Sequence, residues 1–223
     1  FTNHLLAAWF TVMLAALAGR GAEHSEPRAA TERSVLVELF TSQGCNLCPE
    51  AEALLGRLAA SHRRAVVVAY HVDYFNDPWR DPYSDPRHSR RQREYDQVYP
   101  KPKPPEYGLY YTPMLMIDGA HSVNGRDGAA ANAVIRQALQ RAPLVALRAW
   151  WSPQETPAAA AELEVRVAAR SPLATGRPAI VGAVLRHTTV TNRVESGENA
   201  GRTLVAWFPA RQTQLQEVTL EGR

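Results

Sequence analysis

The sequence predicts a mixed α/β chain: one β-α-β unit, a long irregular insert, and an antiparallel β region behind them. Three observations predict it. Val35–Phe40 (VLVELF) and Ala65–Val72 (AVVVAYHV) are short, nearly all-apolar runs, the pattern of strands covered on both faces. Between them a helical pattern opens on Cys45-Asn46-Leu47-Cys48-Pro49. After Pro143 the apolar period becomes two, most plainly in Glu162–Val167.

The bulk composition fits this. The 223 residues are 45% hydrophobic and 21% charged, which excludes general disorder and a collagen-like repeat. A net charge of +3 gives no argument for nucleic acid. With two cysteines, Cys45 and Cys48, a disulfide-scaffold fold is excluded.

Residues 5–18 (LLAAWFTVMLAALA) are apolar, too short to span a bilayer and the length of a signal-peptide core. Ala16-Leu17-Ala18 is an acceptable cleavage site, and the chain opens on Phe1, so 1–22 is expected to be a leader with its start missing. A buried amphipathic helix is the alternative, but the run has no polar face. Export leads to a periplasmic or secreted location, no membrane after cleavage, and thiols where disulfides persist.

Pro49 suits the first turn of a helix running to about Ala60, with Leu54, Leu55 and Leu58 on one face. A strand-helix-strand unit of this kind is right-handed with parallel strands. Residues 74–112 read as irregular apart from a helix at about Arg87–Tyr99. Met114–Asp118 and His121–Asn124 form a hairpin about Asp118-Gly119. Asp127 caps a helix running to Arg141. Ala179–Thr191 and Thr203–Phe208 read as strands with a Gly/Asn-rich turn between them, and the chain stops soon after Gln216–Leu220, short of a final strand.

A C-x-x-C at a strand-to-helix turn has a chemical logic. The first sulfur sits where free N–H groups and the helix dipole stabilise a thiolate. The second, one turn in, resolves a mixed disulfide. Cys45 is thus the candidate attacking thiol and Cys48 the resolving one. This element order is that of a thioredoxin-like domain, in which a cis-proline precedes the third core strand; Pro113 stands there, directly before Met114. Glu38, the one charged residue of VLVELF, is a candidate proton relay to the inner cysteine; the alternative is an edge strand with Glu38 facing water. Glu50 and Glu52 in the first helical turns oppose thiolate formation, so a strongly oxidising pair is not expected.

Three readings of the pair stay open: exchange of disulfides with protein or small-molecule thiols, an inert disulfide in a binding or scaffold module, and copper held by Cys45, Cys48 and His71. No cofactor is expected, and zinc lacks two further ligands.

All eight tyrosines lie between Tyr70 and Tyr111, and seven of the sixteen prolines between Pro78 and Pro105. Arg80–Lys103 carries seven basic and four acidic residues. So long a connection is usually functional or disordered, and tyrosine offers contact area with a polar tip. Tyr74, Trp79, Tyr111 and Thr112 are its candidate substrate contacts; a self-packed loop is the alternative.

Several segments carry a family likeness: VELFTSQGCNLCPEAEALL (Val37–Leu55), HVDYF (His71–Phe75), PWRDPYSDP (Pro78–Pro86), RQREY (Arg91–Tyr95), YTPMLMIDG (Tyr111–Gly119) and ESGENAGRTL (Glu195–Leu204). Through them the chain resembles the secreted bacterial proteins grouped as domain of unknown function 1223, which have a thioredoxin-like core. Met114 stands where the family usually has Gln, and family chains often continue past the point matching Arg223. The resemblance implies the fold and export but no activity, and supports Cys45, Cys48 and Pro113 as the site. It marks Gly197-Glu198-Asn199 with Gly201-Arg202 as a motif, either a glycine-rich turn or a segment whose Glu198 and Arg202 reach the core domain. The expected organisation is a leader at 1–22, a linker at 23–33, a thioredoxin-like domain at 34–142 and a β-rich domain at 143–223.

Overall fold

The computed structural model describes residues 8–13, 32–99, 108–151, 162–170, 176 and 178–220. Most of the expected leader and linker, and residues 100–107 of the insert, lie outside them. The elements begin with β1 (Ala8–Met13), β2 (Val35–Thr41), α1 (Cys48–Ser61), β3 (Ala65–His71), α2 (Pro86–Val98), β4 (Met114–Ile117), β5 (His121–Asn124) and α3 (Gly128–Leu139). They continue with β6 (Val145–Trp151), β7 (Glu162–Ala169), β8 (Pro178–Arg186), β9 (Thr189–Arg193), β10 (Thr203–Trp207) and β11 (Ala210–Thr219). The result is a mixed α/β architecture with one mixed sheet and several antiparallel ones.

The chain divides into two units. One holds Ser34–Arg141 with Val184–Gln212. The other holds Phe1–Arg33, Ala142–Ala183 and Thr213–Arg223. The expected boundary at 142/143 therefore does not separate the whole C-terminal region: Val184–Gln212 returns to the first unit.

In the first unit the sheet order is β3-β2-β4-β5. β2 runs parallel to β3 and antiparallel to β4, and β4 pairs antiparallel with β5. Strand alternation builds two cores. Val35, Val37 and Leu39 of β2 pack with Leu115 and Ile117 of β4 against Leu55 of α1 and Ile135 of α3. Phe40, Val68, Tyr70, Met114 and Met116 face the other way, toward Tyr95 of α2. Burial on both sides is why β2 reads as continuous apolar sequence. The β4–β5 turn has φ of 57° at Asp118 and 65° at Gly119, the left-handed pair of a tight hairpin. Asp127 caps α3 by accepting from the Ala130 N–H at 2.9 Å.

The expected strand Ala179–Thr191 is two strands, β8 and β9, with His187 N–H turned to the Pro209 carbonyl between them. β9 pairs with β10, and the following Phe208 carbonyl accepts from the Ala69 N–H of β3.

In the second unit β7 pairs antiparallel with β6 on one side and with β1 on the other. The apolar run expected as a leader thus contributes a strand to this sheet. β8 pairs with β11, and Val165, Val167, Val181 and Leu220 form a separate core.

Leu55 is fully buried under β2 and β4. Leu55→Ala is expected to lower the unfolding free energy by about 2–5 kcal/mol in urea titration, with near-native far-UV circular dichroism before the transition.

Candidate functional site

The site grows from the end of β2. After Thr41 the chain turns through Ser42-Gln43-Gly44, with Cys45 N–H on the Ser42 carbonyl and Gly44 N–H on Ser42 Oγ. Cys48 opens α1, and its N–H reaches back to the Cys45 carbonyl at 3.2 Å. Both cysteines are free thiols, with Cys45 3% exposed and Cys48 fully buried.

The two differ electrostatically. A hydrogen bond from the Cys48 thiol lowers the Cys45 pKa to about 6; burial opposes this, and Thr112 and the Leu47 and Cys48 N–H groups assist it. Burial pushes Cys48 well above the ordinary thiol value, and the neighbouring Cys45 pushes it further. The acidic first turn does not keep Cys45 protonated. Glu50 is exposed and bound to Arg126 Nε at 2.7 Å. Glu52 turns inward.

Thr112 lies beside Cys45, and its peptide bond to Pro113 is cis, as expected. Pro113 is held by Gly125, whose N–H donates to its carbonyl at 2.9 Å. A Cβ on Gly125 would stand 2.7 Å from the Pro113 ring, so glycine alone allows this approach. Thr112 Oγ1 is buried without a full hydrogen bond, yet close enough to favour the Cys45 thiolate. From α2, Gln92 collects the aromatic candidates: it donates to the Tyr111 carbonyl at 2.7 Å and accepts from Tyr74 OH at 3.1 Å. Tyr74 is 37% exposed, packs against Tyr110 with the rings tilted by 44°, and is near enough to Cys48 to feel its charge. Trp79 sits apart from this group, in a cleft that Gly44 also lines.

Glu38 is not brought to the sulfurs. Residues 37, 39 and 41 face α1, so Glu38 faces α2, where Arg91 Nε and Tyr95 OH each bind it at 2.5 Å. It is fully buried on an inner strand, so it does not face water either.

His71 is likewise engaged elsewhere. Its Nδ1 lies 2.7 Å from Asp81 Oδ2, and its Nε2 faces Glu52 Oε1 at 3.7 Å. Among the described residues no three metal-ligating groups gather, so Cys45, Cys48 and His71 do not assemble a copper set. The three ionisable groups form a buried row beneath the motif. Burial lowers His71, but Asp81 and then Glu52 outweigh it and hold the imidazole above its ordinary value. Burial raises Glu52, against the pull of His71. Asp81 ends below its ordinary value because His71 and three hydrogen bonds outweigh its burial. Thr41 Oγ1 joins the row to the thiols: it donates to Glu52 Oε1 at 3.3 Å and lies within hydrogen-bonding reach of Cys48.

The turn between β9 and β10 also enters the site. Buried Asn199 donates from Nδ2 to the carbonyls of Gln43 and Cys45, both at 2.9 Å. Arg202 fixes Asn199 Oδ1 at 2.5 Å, and Glu198 accepts from Asn46 N–H at 2.9 Å. The motif is therefore held from a segment more than 150 residues away, of which the glycine spacing was the visible signal. Glu52 had a signal too: it lies four residues after Cys48, on the same helical face.

Asp81→Asn is expected to cost about 3–5 kcal/mol, because it leaves the imidazolium of His71 without its charge partner. The sign follows from the shifts. The contribution of Asp81 is complete above its ordinary value of 3.8 and fades as pH falls through the lower folded value. That of His71 is complete below 6.5 and fades as pH rises through the higher folded value. Urea titrations of both proteins should therefore differ most between about pH 4 and 6.5.

A crystal structure of a protein from Agrobacterium tumefaciens superposes with a TM-score of 0.60 at 23% identity, covering 85% of this chain and 79% of that one. At that identity the likeness concerns the fold. Among curated proteins none matches the sequence. The chain belongs to the family described as Protein of unknown function (DUF1223), whose profile matches residues 36–222.

Proposed function

We propose that this chain is an exported thiol-disulfide exchange protein with a thioredoxin-like core. One observation carries the reading: of two adjacent thiols, Cys45 is lowered to about 6 and Cys48 is raised well above its ordinary value. One sulfur is then a thiolate at neutral pH while its neighbour holds a proton, the division of labour that exchange needs. Order β3-β2-β4-β5, the helix opening at Cys48, and the cis Pro113 directly before β4 support the fold reading. The apolar run at residues 5–18 supports export. Among the described residues no helix is long and apolar enough to cross a membrane.

The Cys45 thiolate attacks a substrate disulfide; a Cys45–substrate S–S bond forms, the substrate bond breaks, and the second substrate sulfur leaves as a thiolate. Cys48 then loses its proton and attacks Cys45 Sγ. A Cys45–Cys48 bond forms, the mixed disulfide breaks, and the first substrate sulfur departs. Two electrons pass from protein to substrate. Thr41 and Glu52 supply the proton route: Cys48 to Thr41 Oγ1, Thr41 Oγ1 to Glu52. Glu52, raised by burial, is a better base than an ordinary carboxylate and takes the role the sequence suggested for Glu38. In this reading Thr112 stands beside Cys45, Tyr74 near Cys48, and Trp79 in the cleft that Gly44 also lines.

The 3% exposure of Cys45 favours a second reading, a structural staple at the helix start. The reduction potential separates the two: a staple lies below roughly −300 mV and a working pair well above.

With the reduced native protein, alkylation by iodoacetamide is expected at Cys45 and not at Cys48, rising with pH through about 6 and level by pH 8. A sealed, unreactive Cys45 would leave the staple reading. Cys45→Ser is expected to abolish reduction of a protein disulfide, and Cys48→Ser to accumulate the mixed disulfide. Glu52→Gln, which keeps an acceptor for Trp207 N–H, is expected to slow resolution of that intermediate about a hundredfold without moving the alkylation profile.

A further inference from the structure

The geometry points to a subsite for a lysine or arginine side chain of a polypeptide disulfide, in the cleft beside Cys45. This inference rests on the exchange reading above and names the substrate class of that site. The cleft has a volume of about 280 Å³ and is lined by Gly44, Phe75, Asp77, Pro78, Trp79, Gly197 and Glu198. That is just below the roughly 300–1,000 Å³ of a small-molecule pocket, a size suited to one side chain. Gly44, one residue before the attacking thiol, is part of its wall. A side chain held there belongs to a residue close to the substrate cysteine.

The cleft is built and held open from both walls. On one side Asn199, fully buried, fixes the Gly197–Arg202 turn to the carbonyls of Gln43 and Cys45. Arg202 is consumed in locking Asn199, so its charge is directed there. Glu198 is oriented by the Asn46 N–H. On the other side Ser196 Oγ donates to the Pro78 carbonyl at 3.3 Å, tying the two walls together.

The chemistry of the lining selects a cation. Asp77 and Glu198 are both exposed to the cleft, and neither has an ion-pair partner among the described residues. Phe75 and Trp79, both half-buried, supply aromatic faces. Aromatic faces with carboxylates at their rim bind ammonium or guanidinium groups through cation–π and charge attraction. No lysine, arginine or histidine lines the cleft to attract an acidic substrate instead.

The test is a single-turnover measurement with the full, pre-reduced protein and two peptide disulfides, alike except for Lys/Arg or Glu beside the cysteine. The readout is the ratio of their second-order rate constants within one protein, which normalises for the amount of active material. The wild type is expected to favour the basic peptide about three- to tenfold, and the ratio to shrink as ionic strength rises. Asp77→Asn and Glu198→Gln are each expected to bring the ratio toward one; the glutamine retains an acceptor for Asn46 N–H. A ratio near one in the wild type, with both peptides reduced, overturns the subsite and leaves the exchange reading standing. So does a ratio that neither substitution moves. Failure to reduce either peptide overturns the exchange reading and the subsite together.

Discussion

The turn from β2 into α1 places two sulfurs in a space that tolerates one negative charge. Cys48 is fully buried and Cys45 nearly so, and water screens neither. Under that constraint the thiols cannot ionise independently. The outer one gains the helix N–H groups and the proton of its neighbour; the inner one bears the cost of burial and the adjacent charge. In the exchange reading proposed above, the second proton has to leave for the mixed disulfide to be resolved. Thr41 and Glu52 stand behind Cys48, with His71 and Asp81 next to Glu52.

That buried row also explains the path of the insert. Asp81 comes from the irregular segment after β3, and its carboxylate takes hydrogen bonds from His71 and from the N–H groups of Gln43 and Tyr83. One carboxylate thus joins the strand end, the motif turn and the insert. Burial alone would lower the pKa of the imidazole; the neighbouring carboxylates raise it above its ordinary value and tie the row together.

Much of this was legible in the sequence where the signal is short-range. Two-sided burial of β2 and β3 shows as unbroken apolar runs, the Asp118-Gly119 turn shows as its residue pair, and Cys45, Cys48 and Pro113 mark the ends of elements. The misassignment of Glu38 is a matter of parity. A strand exposes alternate faces, and a residue one step out of phase with Thr41 lies on the far side of the sheet, so the strand was right and the face was not. Glu52 was visible as an acid but was read as a charge opposing the thiolate; its four-residue spacing from Cys48 was the signal that it lies on the same helical face. The partnership of His71 with Asp81 and that of Asn199 with Gln43 and Cys45 depend on chain paths that no local periodicity sets. The return of Val184–Gln212 to the first unit is of the same kind.

The carbonyls of Gln43 and Cys45 are held by a side chain that emerges from the ribosome more than 150 residues after them. Their conformation is therefore not a local property of the cysteine loop. During synthesis the β-α-β unit, the insert and α3 are all complete before Asn199 exists. The loop acquires its final shape only when the late hairpin docks, so thiol maturation is tied to near-completion of the polypeptide. A chain cut short upstream of that hairpin carries both cysteines and lacks the brace that shapes them.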